Sequence, residues 1–498
     1  MKKFLFVLFL LLPVILYSNP LIIEIYFNKS TDSGVSWVDS VGIPVVALEV
    51  HDYPPALDVR SSNIFYTIWA SSFPWSDTTH SYIYSTNSTD GGNYWWEYGR
   101  LVDDSTWSLK ISPVLITDII GTAYAVWEDS RSDSMDVYFA KSTDEGNTWT
   151  NPNIKVSDSS VATRKFPSIT VDTMSNLYIV WQDNRSGRWD IYFTKSTDGG
   201  LNWQHPDFSI SDSLEGDHFE PKLKMKNNIL YLVWRSSIVD TSHLYFGKST
   251  DYGVTWLKTI ISDVDTLERG LPSMDVMDSL IGVTWQDGRS GESHIYFSGS
   301  VDGGLNWSDD IMVDDGTGGG KYHPSVGIDE WGALYAAWDD ERNGHSQIYF
   351  AKSVDAGSTW TSPSMLIGVS GQGEDIMPSL AINSQEICVA WQLEGIIISG
   401  VEESAFSSST FSLNVYPNPA SQSVDIYYTL QREEKISIDI YDISGRLLKE
   451  ISSGLKGRGT HIIYWDRKDS SGRDVKSGIY FLRIKTPNRT INKKLVLL

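Results

Sequence analysis

The residues best suited to chemistry lie in short polar segments that recur along the chain. Four of them share an acid–x–Arg pattern: Glu128-Asp129-Ser130-Arg131, Gln182-Asp183-Asn184-Arg185, Gln286-Asp287-Gly288-Arg289 and Asp339-Asp340-Glu341-Arg342. A planar guanidinium binds a carboxylate through two parallel hydrogen bonds. Arg131, Arg185, Arg289 and Arg342 gathered round one opening could therefore grip an acidic ligand. The alternative is that each aspartate pairs with the arginine of its own loop and both serve the scaffold. Departures from the pattern are the better ligand candidates. Arg235 replaces the acidic pair usual after the tryptophan, and Trp75 sits in the aromatic segment Phe73-Pro74-Trp75, able to stack on a sugar ring or simply to cover an opening. Tyr322 beside His323, with Glu374 and Asp375 on a later link, forms a candidate nucleophile neighbourhood. Two carboxylates could act there as acid and base if they stood roughly 5–9 Å apart. Each of these residues also reads as an ordinary loop hydrogen-bonder.

The elements that position them repeat. Ser-[Thr/Val]-Asp-x-Gly-x-x-Trp occurs around Asp32, Asp90, Asp144, Asp198, Asp251, Asp302 and Asp355, at steps of 51 to 58 residues. A fixed period near fifty indicates a stacked or radial repeat fold. The glycine supplies the backbone angles of a tight link between antiparallel strands. The serine and aspartate can bond the turn's own backbone, and the tryptophan drives a large apolar body between neighbouring sheets. These seven aspartates therefore read as structural. The clearest unit predicts strand A over 166–171, strand B over 177–181, a polar loop, strand C over 190–195, the box, and a strand D carrying Trp203. Strand-B tryptophans at 69, 127, 181, 234, 285, 338 and 391 match the boxes in number. The first box has a C strand (25–29) but no A or B strand before it, and the last A–B pair has no box after it. The two halves complement one another, predicting a ring zipped by the N-terminal strand, although Ile396-Ile397-Ile398 could compete for the C-strand place. Box turns then lie on one face of the ring, and the B–C loops and D-to-A links, with all the candidate residues, on the other.

The octamer resembles the Asp-box (BNR) repeat of sialidase-like β-propellers, over about 380 residues. The resemblance implies an all-β fold, a seven-bladed β-propeller of four-stranded antiparallel blades. For an active relative it implies an arginine cluster for sialic acid, a tyrosine nucleophile with a carboxylate partner, and an acid. The early Arg-Ile-Pro motif usual in catalytic sialidases is absent, and the count is seven where six is usual. A glycan- or protein-binding module is therefore expected first, and a sialidase or other glycoside hydrolase with its site in the B–C/D–A funnel second.

The rest of the chain places this ring in a secreted protein. Lys2-Lys3 and the apolar run 4–17 read as a signal peptide over 1–19. The propeller is expected over 20–402 and a Ser-rich linker over 403–412. Over 413–498, Tyr416-Pro417-Asn418-Pro419, Tyr441-Asp442-Ile443-Ser444-Gly445-Arg446 and Ser477-Gly478-Ile479-Tyr480 resemble the type A sorting domain of the type IX secretion system and the related FlgD-like Ig fold. That resemblance implies a small Ig-like β-sandwich engaging the secretion machinery, and a secreted or cell-surface location. Net charge is −23, yet the last 86 residues sum to +6, leaving −29 for the remainder. So acidic a body suits neither nucleic acid nor anionic membranes. The single Cys388 excludes disulfides and cysteine metal sites, and no EF-hand or RTX-type run is present, so no metal or cofactor is expected. The expected partners are an extracellular glycan or surface protein and the export machinery, with no transmembrane span in the mature chain and a monomeric state.

Overall fold

The computed structural model describes residues 21–497 apart from 39, 44–48, 51–54, 62, 73–79, 97–98, 133, 239–240, 263–268, 369–372, 384–385, 397–412, 417–423, 431–433, 443–445, 457–458 and 488–489. The signal-peptide segment, Trp75, the 403–412 linker and Ile397-Ile398 lie outside the described residues. Among those described, every element is a β-strand. The chain divides into two compact units, Met1–Gly400 and Val401–Leu498.

The first unit holds seven antiparallel sheets among its described residues. Each is named here for its central tryptophan. In the Trp181 sheet the order is Arg164–Val171, Leu177–Asp183, Asp190–Ser196 and Phe208–Ser209. Every residue of Leu177–Asp183 is buried. A strand covered on both faces loses the usual polar alternation and reads as a continuous run of aromatic and β-branched residues. The covering is mutual. Tyr124 and Val126 of the Trp127 sheet share a core with Ile179 and Trp181. Tyr178 and Val180 share the next with Leu232 and Trp234. The series closes, because Ala390 of the Trp391 sheet packs with Phe27, Phe65 and Trp69. Burying each such side chain contributes about 1.5–3 kcal/mol.

The Trp391 sheet is built from both ends of the unit. Leu21–Ser30 pairs with Ile387–Ile396, aligning Ile25 with Gln392 and Ser30 with Ile387. Ile396 is thus the end of the B strand and not a competing C strand.

Each box turn clamps its sheet to the preceding one. Ser142 Oγ donates to Asp144 Oδ1 (2.8 Å) and accepts from Gly146 N (2.9 Å), while Thr148 N and Oγ1 donate to the same carboxylate at 2.8 and 2.7 Å. At the first box the Ser36 hydroxyl and amide and the Ser30 hydroxyl hold Asp32 at about 2. Gly34 has φ 80°, and a Cβ there would stand 2.7 Å from the Phe350 ring of the preceding sheet. The box tryptophan then lies edge-on to that same ring, Trp37 to Phe350 at 4.9 Å. A lysine one residue before the box serine reaches forward to the next box: Lys141 Nζ donates to Gly199 O (2.7 Å) and Lys352 Nζ to Ser33 O (3.1 Å). The second of these crosses the junction between chain ends. Trp203 corrects the expected strand D. Gln204 N still bonds Lys195 O at 2.9 Å, but strand D itself is Phe208–Ser209. The indole tucks back onto Phe139 at 5.3 Å, and the chain pairs again only after that detour.

The second unit has a three-stranded sheet (Leu413–Tyr416, Val424–Leu430, Gly459–Trp465) and a four-stranded one (Leu447–Lys456, Glu434–Asp442, Gly478–Lys485, Thr490–Leu497). Ile426, Ile438, Trp465, Leu482 and Leu495 form one core shared by both.

Candidate ligand site

In four sheets a buried polar lock holds the B–C loop. The tryptophan Nε1–H donates to the aspartate two residues on: Trp127 to Asp129 (3.3 Å), Trp181 to Asp183 (3.1 Å), Trp285 to Asp287 (3.1 Å) and Trp338 to Asp340 (3.2 Å). That aspartate takes the arginine two residues further along. Arg185 meets Asp183 at 2.5 Å and also Asp158 (2.6 Å), on the link into its sheet, and Asp207 (2.8 Å), just before strand D. Arg131 meets Asp129 and Asp104, Arg289 meets Asp287 and Asp310, and Arg342 meets Asp340 and Asp315, all at 2.6–2.9 Å. Each guanidinium also covers a tyrosine, with Arg342 4.0 Å from the Tyr349 ring centre. Burial would raise Asp104, but the Arg131 fork and the Thr106 hydroxyl hold it at about 2. The four arginines that the sequence offered as ligand grips are therefore each already paired with at least two carboxylates. Trp75 lies outside the described residues.

A second device, on the inner strands, sets the other wall. Six inner strands break register at an x-Pro step, and x has positive φ: Ser112 (52°), Phe166 (52°), Glu220 (56°), Leu271 (49°), His323 (49°) and Met377 (56°). A non-glycine residue held there is strained and needs support. The preceding sheet supplies it through the residue after its tryptophan. Glu128 accepts from Phe166 N (2.9 Å), Gln182 from Glu220 N (3.0 Å), Gln286 from His323 N (3.4 Å) and Asp339 from Met377 N (3.2 Å).

The Trp234 sheet breaks both rules. Position 235 is arginine, which has no acceptor to give. Glu220 takes over, accepting from Leu271 N at 2.7 Å. Arg235 then turns to Glu220 (3.4 Å) and lies over Phe219 (4.4 Å). The lock aspartate is replaced by Ser236, and Trp234 Nε1 donates instead to His218 Nδ1 (3.1 Å). Burial lowers His218 to about 4. The acid–x–Arg loop is also missing, since strands Ile229–Ile238 and Thr241–Ser249 stay paired out to Ile238 and Thr241. A cleft of about 680 Å³ lies across this sheet and the next two, bordered by Glu220, Arg235, Arg269, Gln286, Glu292 and Tyr322. Four glycines, 270, 288, 291 and 320, complete part of its wall.

The structure divides the proposed catalytic trio. Tyr322 borders the cleft; Glu374 and Asp375 do not. Asp375 is fully buried, and its carboxylate accepts from Trp391 Nε1 at 2.9 Å. It does for Trp391, whose sheet has Leu393 at the lock position, what His218 does for Trp234. Glu374 accepts from Ser346 N. His323 Nδ1 sits 2.9 Å from Asp339 Oδ1; burial alone would lower it, but that carboxylate raises it. Glu220, Gln286 and Glu292 were not singled out in the sequence. The signal for Glu220 was its place before Pro221 combined with an arginine after Trp234. Among the described residues, no group of three or more His, Cys, Asp or Glu is placed to hold a metal ion. Among the described residues, no helix is long and apolar enough to cross a membrane.

Comparison with known proteins informs the two units differently. Residues 414–498 match the family described as the secretion system C-terminal sorting domain. The chain is accordingly exported, to the cell surface or beyond it. No curated protein matches by sequence. By structure, the chain is similar to a protein of unknown function from Dyadobacter fermentans (12% identity, TM-score 0.45, covering 71% of this chain and 98% of that one). It is similar also to an α-L-arabinanase of Penicillium chrysogenum solved with arabinobiose (13%, 0.39, 75% and 98%). A third is PorZ, described as a surface component of the type-IX secretion system of Porphyromonas gingivalis (14%, 0.33, 89% and 70%). Scores this low carry no argument about chemistry.

Proposed function

We propose that the chain is an exported seven-bladed β-propeller of Asp-box type that binds an extracellular glycan in the Glu220–Arg235 cleft. A C-terminal Ig-like sandwich engages the export machinery, and the protein acts as a monomer. The cleft carries this reading. Its volume of about 680 Å³ falls in the range of ligand sites, roughly 300–1,000 Å³. Its border combines planar amide, guanidinium and carboxylate groups with one tyrosine ring and exposed glycine backbone. Such a set bonds vicinal hydroxyls and covers an apolar sugar face. It also reaches the sheet in which the repeat's own lock has been replaced, through Glu220 and Arg235. A hydrolytic reading rests on Tyr322 and Glu292 sharing that cleft. It comes second because Glu220 is committed to Arg235 and the Leu271 amide.

One experiment separates the readings. The purified chain is screened on a glycan array, and hits are measured by calorimetry beside Arg235→Ala. Hydrolysis of the same glycans and of a fluorogenic sialoside is followed in parallel. Binding lost in Arg235→Ala without turnover is expected. Turnover abolished by Tyr322→Phe would establish the hydrolase, and binding unaffected by Arg235→Ala would place the site elsewhere.

A further inference from the structure

We infer that the cleft selects neutral and amino sugars and rejects carboxylated ones such as sialic or uronic acids. The inference rests on the cleft being a glycan site and adds its chemical class. The charges that border the cleft decide it. Arg235 already faces Glu220 at 3.4 Å, and its flat side is covered by Phe219 at 4.4 Å. A ligand carboxylate would have to displace Glu220, which would strand that carboxylate and the Leu271 amide it supports. Arg269 also borders the cleft, but as a scaffold group. Its side chain is fully buried, with Nε on Asp287 (3.1 Å) and Nη1 on Ser242 O (2.6 Å) and Ser262 Oγ (2.8 Å).

The neighbouring cations are occupied as well. Arg289 is held by Asp287 and Asp310, both near 2.7 Å, and Arg342 by Asp340 and Asp315. Lys321 is buried with Nζ on Gly319 O (2.6 Å). Against these stands Glu292, which is exposed on the B–C loop of the Trp285 sheet and borders the cleft. No ion-pair partner is recorded for it among the described residues. The cleft is therefore bordered by two carboxylates and two guanidiniums, both guanidiniums already paired, which leaves Glu292 as the uncompensated charge on its border. A carboxylated sugar meets net repulsion there. An ammonium-bearing sugar gains Glu292, and a neutral one keeps its hydroxyl contacts to Gln286 and the glycine backbone.

The test measures the full exported chain by calorimetry at low salt against matched ligands: lactose against sialyllactose, and glucose, glucosamine and glucuronate oligomers of equal length. The expected result is at least about tenfold weaker binding of each carboxylated member than of its neutral counterpart, a gap that shrinks as salt rises. Glu292→Lys should narrow or invert the order, and Glu292→Gln should weaken only the glucosamine oligomer. Glu292 is exposed, so both variants are expected to retain the parent thermal midpoint. Tightest binding of a carboxylated member, or an order unmoved by Glu292→Lys, overturns the inference and leaves the glycan site standing. No binding by any member removes the glycan site itself and the inference with it.

Discussion

The Trp181 and Trp234 sheets are neighbours of equal strand order, yet their polar interiors are solved differently. In the first, Asp183 binds the indole, Arg185 and Arg164 together, and Gln182 props the next sheet's strained Glu220 amide. In the second, His218 serves the indole and Glu220 the neighbouring amide, leaving Arg235 beside open space. The number of buried donors is similar, but the identity of the acceptor has moved from the loop to the inner strand. Once the inner strand satisfies the core, the loop is no longer needed. The Trp391 sheet confirms that the exchange is a general one, with Asp375 again supplying the acceptor from the inner strand.

Four changes would break or sharpen this contrast. Asp183→Ala should cost the most, about 3 kcal/mol or more, because it removes a carboxylate from two arginines and the acceptor from Trp181. Denaturant unfolding followed by tryptophan fluorescence measures it, and a loss below about 1 kcal/mol would show that the lock adds little. The second change is pH. His218 ordinarily titrates near 6.5 but stands at about 4 when folded. A depressed histidine favours the folded state above 6.5, and that contribution is lost as pH falls from 6.5 toward 4, by about 3 kcal/mol at most. His218→Asn should flatten thermal stability across that window; an unchanged slope would rule out His218 as its source.

Glu128 gives the opposite sign. Burial raises it from 4.5 to about 7. Its contribution is therefore fully present below 4.5 and is lost as pH rises through 7. Glu128→Gln copies the residue found at 182 and 286, and should raise the thermal midpoint at pH 8 by roughly 1–2 kcal/mol equivalent while leaving pH 4 unchanged. The smallest stability effect should come from Arg235→Gln, which restores the pattern of the regular sheets. Stability should stay within about 1 kcal/mol, while glycan binding is lost; retained binding would detach Arg235 from the site.

The repeat was legible because box, tryptophan and turn are local signals in fixed phase. Trp181 and Asp198 could be placed without knowing what they touch. The destination of Trp203 was not, since only the preceding sheet's Phe139 explains why the chain leaves the ladder there. The x-Pro steps stand plainly in the sequence, but the positive φ at Glu220 and His323 arises from tertiary support and not from local preference. Asp375 illustrates the deeper difficulty. Beside Glu374 on a link it looked like a catalytic acid, and only the loss of an aspartate at 393 shows that Trp391 needs it.

Joining the Trp391 sheet from both ends has a consequence in time. Leu21–Ser30 is made long before its partner Ile387–Ile396, which follows the other six sheets in the chain. Closing so long a loop is slow and carries an entropic cost. Until then the leading strand keeps unpaired amides and carbonyls along the flank that Ile387–Ile396 covers, an open edge that invites association with other chains. The sorting segment at 414–498 follows closely behind the strand that ends this exposure. A chain whose sorting segment has emerged has thus already delivered the strand that completes the ring, so the order of synthesis by itself lets the export signal report on a nearly finished fold.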